Sequence, residues 1–184
     1  MEEATGVKCV CQKGCGGCCK QAIQVLESEM QAIKVKVLSF SKEEKQALYE
    51  RCIRVLAMIE EKGLDTDFSH YYSAKGVSPK LMQFMQDYFA LGLDCPLLSE
   101  EGSCMIYEVR PGGCWGYRVY DNPEICTSSF YNLNGVHFEN WENYLLNVLY
   151  RKTGKVQALK LLPYWLFDIL EEDKKNEENR SQLG

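Results

Sequence analysis

The chain opens without a basic segment leading into an apolar one, so no secretory signal is expected. It also lacks a long apolar run. The longest, Ala158 to Leu170, is interrupted by Lys160 and Pro163 and falls short of a bilayer span. Positive charge is not in excess: the formal net charge is −5, which gives no general reason to expect nucleic acid or an anionic membrane as a partner. No internal repeat, Walker-type phosphate loop, HExxH pair or Ser/His/Asp constellation is visible. The expectation is a soluble, cytoplasmic protein with no membrane or nucleic-acid partner. At 184 residues it is long enough for one domain burying roughly 70% of its unfolded surface. Its 46% hydrophobic and 26% charged residues are ordinary for a globular protein.

What is unusual is ten cysteines. A disulfide framework serves domains too small to build a core, and this chain can build one, so clustered cysteines read as metal ligands or redox groups. The centre of attention is Cys9 to Cys19, C-V-C-Q-K-G-C-G-G-C-C, where five of eleven positions are cysteine and three are glycine. Gly14, Gly16 and Gly17 permit left-handed angles and let amides approach sulfur. Lys8, Lys13 and Lys20 flank the loop, and no acidic residue lies between Ala4 and Leu26. Such lysines offset thiolate charge; the blander reading is three solvated side chains.

Helical signals follow a short lead-in, Met1 to Val7, and the loop. Ser28 with Gln31 reads as an N-cap, and Ser41 with Glu44 as a capping box. Leu48, Cys52, Val55 and Ile59 recur on one helix face, with Gly63 as the stop. Cys52 is therefore assigned to the core rather than to a metal. Asp65 to Gly76 is a loop in which His70 reads as a surface or hydrogen-bonded residue. Pro79 is expected at the first position of a helix that buries Leu81, Phe84, Met85, Tyr88 and Phe89 and ends at Gly92. Cys95-Pro-Leu-Leu and Ser103-Cys-Met-Ile-Tyr suggest a short hairpin around Ser99 to Gly102. Glu108 to Val136 shows little periodicity, and Cys114 and Cys126 are candidates for tying it down. Trp141 to Leu149 has helical spacing, and Val156 to Leu170 is apolar almost all round, with Pro163 restarting or kinking a helix. The fold class expected is mainly α, α+β at most: a helical domain over residues 1–170 with a small irregular cysteine-rich region and a short hairpin. Residues 171–184 read as a charged flexible tail that frays.

Without Cys52 the cysteines form two groups, Cys9, Cys11, Cys15, Cys18 and Cys19, and Cys95, Cys104, Cys114 and Cys126. Tetrahedral zinc sites commonly use two C-x2-C knuckles. Here the loop is C-x3-C-x2-C, and the second group has no C-x2-C. Three cysteines from one tight loop plus a distant fourth is a habit of iron–sulfur clusters, so an iron–sulfur cluster is preferred to zinc. Adjacent Cys18 and Cys19 diverge as neighbours do, which suits two centres, or one larger cluster with a thiolate reaching elsewhere. C-x3-C-x2-C is also the spacing of radical S-adenosylmethionine enzymes, but the strand–helix succession their barrel needs is missing, and the chain is short for it.

Cys11-Gln-Lys-Gly-Cys15-Gly-Gly-Cys18-Cys19, Cys95-Pro-Leu-Leu and Gly102-Ser-Cys104-Met-Ile-Tyr107-Glu-Val-Arg110-Pro111-Gly-Gly-Cys114 together resemble the YkgJ-type cysteine-cluster family, described as zinc- or iron-chelating. The resemblance spans about residues 9–126. It implies a metal ion or cluster held by Cys11, Cys15, Cys18, Cys19, Cys95, Cys104 and Cys114, with Cys126 where a later family cysteine falls. Cys9 lies outside the pattern. The family usually has arginine directly after the cysteine matching Cys114, where this chain has Trp115; Arg118 is the candidate substitute. The later cysteine commonly precedes Pro-Gly, whereas Cys126 precedes Thr127-Ser128. Flagellin lysine methylases have a similar cysteine pattern but are considerably longer, so S-adenosylmethionine and lysine methylation enter by analogy only. Arg110 reads as a structural arginine bonding loop carbonyls, with an anionic ligand as the alternative. The functions open at this point are an iron–sulfur protein with a redox, sensing or metal-handling role, a zinc-stabilised interaction module, and a methylase-like enzyme.

Overall fold

The computed structural model describes residues 8–11, 14–73, 76–120, 124–128, 136–138 and 158–182. It is mainly helical, with three small two-stranded antiparallel sheets among the described residues. A 3-10 turn, Gly17–Lys20, leads into β1 (Gln24–Leu26), then α1 (Glu27–Leu38) and α2 (Lys42–Glu61). After the short strands β2 (Tyr72–Ser73) and β3 (Gly76–Val77) comes α3 (Lys80–Ala90). The cysteine-rich part holds α4 (Gly112–Trp115), β4 (Tyr117–Val119), α5 (Ile125–Ser128) and β5 (Val136–Phe138). β6 (Leu159–Leu161) and α6 (Leu162–Gln182) follow.

The capping box at Ser41 forms as expected: Glu44 N–H donates to Ser41 Oγ at 3.1 Å, and Ser41 N–H donates to Glu44 Oε2 at 2.8 Å. Leu48, Cys52, Val55 and Ile59 are all buried, and Gly63 (φ +64°) stops the chain behind α2. The first helix differs. It begins at Glu27 rather than behind Ser28, because Leu26 is paired to Leu159 as a strand residue and its N–H is taken by Glu29 Oε2 at 3.0 Å. Pro79 sits one residue before α3 instead of within its first turn. Leu81, Phe84 and Tyr88 are buried there, while Met85 and Phe89 are half-buried.

The hairpin between Cys95 and Tyr107 is reduced to one antiparallel bridge, Leu98 to Cys104, flanked by Ser99 N–H to Ser103 O (2.8 Å) and Met105 N–H to Leu97 O (2.9 Å). The apolar stretch around Pro163 is not one helix. Leu159–Leu161 pairs antiparallel with Gln24–Leu26, and Pro163 lies in the first turn of α6, where its missing donor is harmless. Continuous apolarity does not by itself separate a buried strand from a buried helix. The helical spacing noted at Trp141 to Leu149 lies outside the described residues.

α6 continues through the charged stretch after Leu170 to Gln182 and packs on α2. Lys45 bridges Asp173 (2.6 Å) and Glu177 (3.1 Å), Tyr49 stacks on Phe167 at 5.4 Å, and the Tyr49 hydroxyl donates to Glu171. One side of the core gathers Leu26, Leu161, Phe68, Phe84 and Tyr88. The other gathers Ile33, Leu48, Cys52, Leu97, Ile106 and Leu166, with Cys95, Cys104 and Cys114 packed at its edge. A separate small cluster joins Tyr117, Val119 and Cys126 to Val10 and Cys18. No helix among the described residues is long and apolar enough to cross a membrane.

Candidate metal centre

The glycine-rich loop and the chain beyond residue 94 are stitched together by the backbone. Cys95 N–H donates to Cys19 O at 2.7 Å, so two cysteines from distant sequence are joined through their own peptide groups. Val10 N–H donates to Val119 O (2.8 Å) and Val119 N–H to Cys11 Sγ (3.4 Å), laying residues 9–11 along β4. Glu29 ties the third part: its Oε1 accepts from Gly112 N–H at 2.8 Å at the start of α4, the short helix that carries Cys114. Gly14 takes the left-handed angle expected of it (φ +89°). Gly16 lets Leu98 in so closely that a Cβ there would stand 3.2 Å from Leu98 Cδ1.

Nine of the ten cysteines line two adjoining cavities. The inner one, about 40 Å³, is walled by Cys15, Cys18, Cys19, Cys95, Cys104 and Cys114 and closed by Ile23, Leu97, Ile106 and Leu162. The outer one, about 240 Å³, is walled by Cys9, Cys11, Cys15, Cys18, Cys114 and Cys126, with Tyr107, Trp115 and Tyr117. Cys15, Cys18, Cys114, Tyr107 and Arg110 border both. No cysteine is in a disulfide. No histidine or carboxylate lines either cavity among the described residues. Among the described residues the side chains able to donate to a metal there are thus the thiols and the Tyr107 and Tyr117 phenols. The sulfurs face shared space but are not closed up: among the described residues no three of the His, Cys, Asp and Glu side chains stand close enough to grip an ion as they are. Loading would draw them inward, which couples binding to local ordering.

The electrostatics separate the thiols. Cys18 is pushed down to about 7, chiefly because Cys19 donates a hydrogen bond to its sulfur, with the Arg110 guanidinium helping. Cys19 correspondingly keeps its proton, held up by that bond and by burial. Burial raises Cys95 to about 12 and Cys114 well above the usual thiol range, and nearby thiols push the same way. Cys126 is raised to about 11 for the same first reason.

Arg110 lies over the Tyr107 ring at 4.2 Å and borders both cavities, and its charge lowers the Cys18 thiol. Arg118 reaches the outer cavity, its Nε donating to Trp115 O at 3.4 Å. Lys20 is paired with Asp94 at 3.4 Å, Lys8 is exposed, and Lys13 lies outside the described residues.

The structure brings all eight sequence-selected cysteines, Cys11, Cys15, Cys18, Cys19, Cys95, Cys104, Cys114 and Cys126, to this paired space, including Cys126, the one whose context fits the family pattern least. It adds Cys9, which sequence reasoning set aside. The signal was there: in an extended C-V-C, residues 9 and 11 share a side. Cys52 stays apart, fully buried on α2 beneath the inner set. His70 is distant from the cluster's cavity walls, bonded to Asp65 (2.8 Å) and Asp67 (3.3 Å) at the surface.

A helical domain presenting a pocketed, all-sulfur donor set defines the class of cysteine-cluster metal-binding proteins. Within that class the chain belongs to the CxxCxxCC family, "Putative zinc- or iron-chelating domain", whose profile matches residues 10–135. Comparison with curated proteins and with solved structures gave no match.

Proposed function

We propose that the cysteine cluster holds iron–sulfur centres serving a redox, sensing or metal-handling task. The observation that carries this reading is the convergence of nine thiols, from both halves of the sequence, on two adjoining cavities with shared cysteine walls. Four thiolates complete a zinc site. A set about twice that size, with Cys15, Cys18 and Cys114 common to both parts, suits iron–sulfur ligation by cysteine better than one mononuclear ion. The walls agree: apolar Leu97, Ile106 and Leu162 restrict water, and Arg110 and Arg118 offset thiolate charge, two levers that set a cluster's potential. When bound, such a centre supplies one-electron chemistry. The chain's own residues position, charge-balance and shield it.

Zinc is the competing reading, favoured by the small volume of the inner cavity. Protein purified without oxygen separates the two. Brown material with broad visible absorption, iron and acid-labile sulfide supports the iron–sulfur assignment. Colourless material with stoichiometric zinc, still colourless after anaerobic reconstitution with iron and sulfide, overturns it. Calorimetry of the loaded protein with S-adenosylmethionine tests the methylase-like alternative, which predicts saturable binding.

A further inference from the structure

The two cavities divide the thiols unevenly, and the division assigns a role to a residue beyond the family match, which begins at residue 10. Cys19, Cys95 and Cys104 face only the inner cavity; Cys9, Cys11 and Cys126 face only the outer one. Of the residues bordering both, Cys114 packs against the main core and has Cys95, Cys18 and Cys104 as its electrostatic neighbours. Cys15 is a neighbour of Cys126, which also senses Cys11 and Cys18. Cys9 is hydrogen-bonded to Cys11 through their side chains. The backbone bond from Val10 to Val119 fixes both relative to β4.

We infer that the site is bipartite, and that Cys9, Cys11, Cys15 and Cys126 form a second, outer four-sulfur centre, separate from an inner centre of Cys19, Cys95, Cys104 and Cys114. Cys18 lies between them, bordering both. This rests on the reading of the cluster as a metal centre but not on the choice of metal. The outer set stands on the small Val10, Tyr117, Val119 and Cys126 cluster, the inner set on the edge of the main core. Each thiol releases its proton on binding, so either centre takes up a divalent metal ion, or a preassembled iron–sulfur unit transferred whole, with loss of up to four protons. In the outer centre Cys11 is exposed and Cys126 is buried, whereas the inner four are all half-buried, behind Ile23 and Leu162.

The test uses the full chain, loaded in parallel with zinc and by anaerobic reconstitution with ferrous iron and sulfide. Metal per chain is measured, and cysteine protection is read by alkylation and mass spectrometry. Cys9→Ser should lose about half the metal that wild type holds and leave Cys95, Cys104 and Cys114 protected. Cys104→Ser should lose the other half and leave Cys9 and Cys11 protected. Full metal content in Cys9→Ser, or Cys9 alkylated in loaded wild type as fast as in the metal-free protein, overturns the inference. The wild-type protection pattern gives an answer even if a variant misfolds. Zinc uptake without iron–sulfur uptake would sink the iron–sulfur reading while the zinc stoichiometry still decides the role of Cys9. A wild type that binds neither would sink both.

Discussion

Glu29 is the side chain on which the arrangement around α4 depends most directly. One oxygen accepts from Leu26 N–H (3.0 Å) at the head of α1, the other from Gly112 N–H (2.8 Å) at the head of α4. Hydrogen bonds to an ionised partner contribute about 1.5–3 kcal/mol each. The carboxylate is half-buried, so the lower end of that range applies, and Glu29→Ala should cost about 3 kcal/mol. In a chain of this size that is a fall in Tm of about 6–12 °C. Glu29→Gln retains an acceptor oxygen for one of the two amides and should cost about half as much. Guanidinium unfolding followed by far-ultraviolet circular dichroism gives the magnitude. Trp165, whose indole donates to Val25 O at 2.9 Å, reports the same region by fluorescence. Releasing Gly112 also loosens the helix bearing Cys114, so alkylation of Cys114 in metal-free Glu29→Ala should quicken. A loss below about 1 kcal/mol with unchanged Cys114 alkylation would refute the claim that Glu29 couples the two helices.

Cys52→Ser buries a hydroxyl among Leu48, Leu97 and Ile106 and should cost about 1–3 kcal/mol by chemical denaturation, with metal content unchanged; loss of metal would show that Cys52 belongs to the site. Arg110→Ala removes a charge that holds the Cys18 thiol down, so in metal-free protein at pH 7 Cys18 should alkylate more slowly, with Arg110→Lys in between; an unchanged rate would remove Arg110 from that role. Cys95 and Cys114 have raised thiol pKa values, so both are protonated in the metal-free protein near neutrality, and zinc must displace those protons. Binding therefore strengthens as pH rises, by about tenfold per pH unit for each proton released. Competition titrations with a chelator between pH 6 and 8, corrected for the chelator's own protonation, check this, and a pH-independent affinity would contradict it.

Much of the helical scaffold was legible because its signals are local. Ser41 and Glu44 are three residues apart, and Leu48, Cys52, Val55 and Ile59 repeat at helical spacing, so each feature is contained in one or two turns. The cysteine selection was legible too, since no other residue type concentrates so heavily in two segments. What escaped were features decided at long range. Ser28 and Gln31 look like a cap, but the strand pairing of Leu26 with Leu159 moves the helix start and hands the capping role to Glu29. Leu159-Lys160-Leu161 is too short for its alternation to separate strand from helix until Gln24 to Leu26 is placed beside it. Lys8, Lys13 and Lys20 are the basic residues near the loop in sequence, and nothing local announces that Arg110, about ninety residues on, lowers the Cys18 thiol. Cys9 was passed over because attention to the motif outweighed the C-V-C alternation.

The pairing of β1 with β6 has a consequence for biosynthesis. Gln24 meets Leu161, so the strand next to the first cysteines cannot find its partner until 137 further residues have been made. At about 5–20 residues per second, that is an interval of roughly 7–27 s. The glycine-rich loop, held by Cys95 and Val119, waits about 76 and 109 residues for them, and until then its thiols are open to oxidants and metals. Supplying a particular metal early, or shielding the loop by a chaperone, would therefore bear on what the finished protein carries.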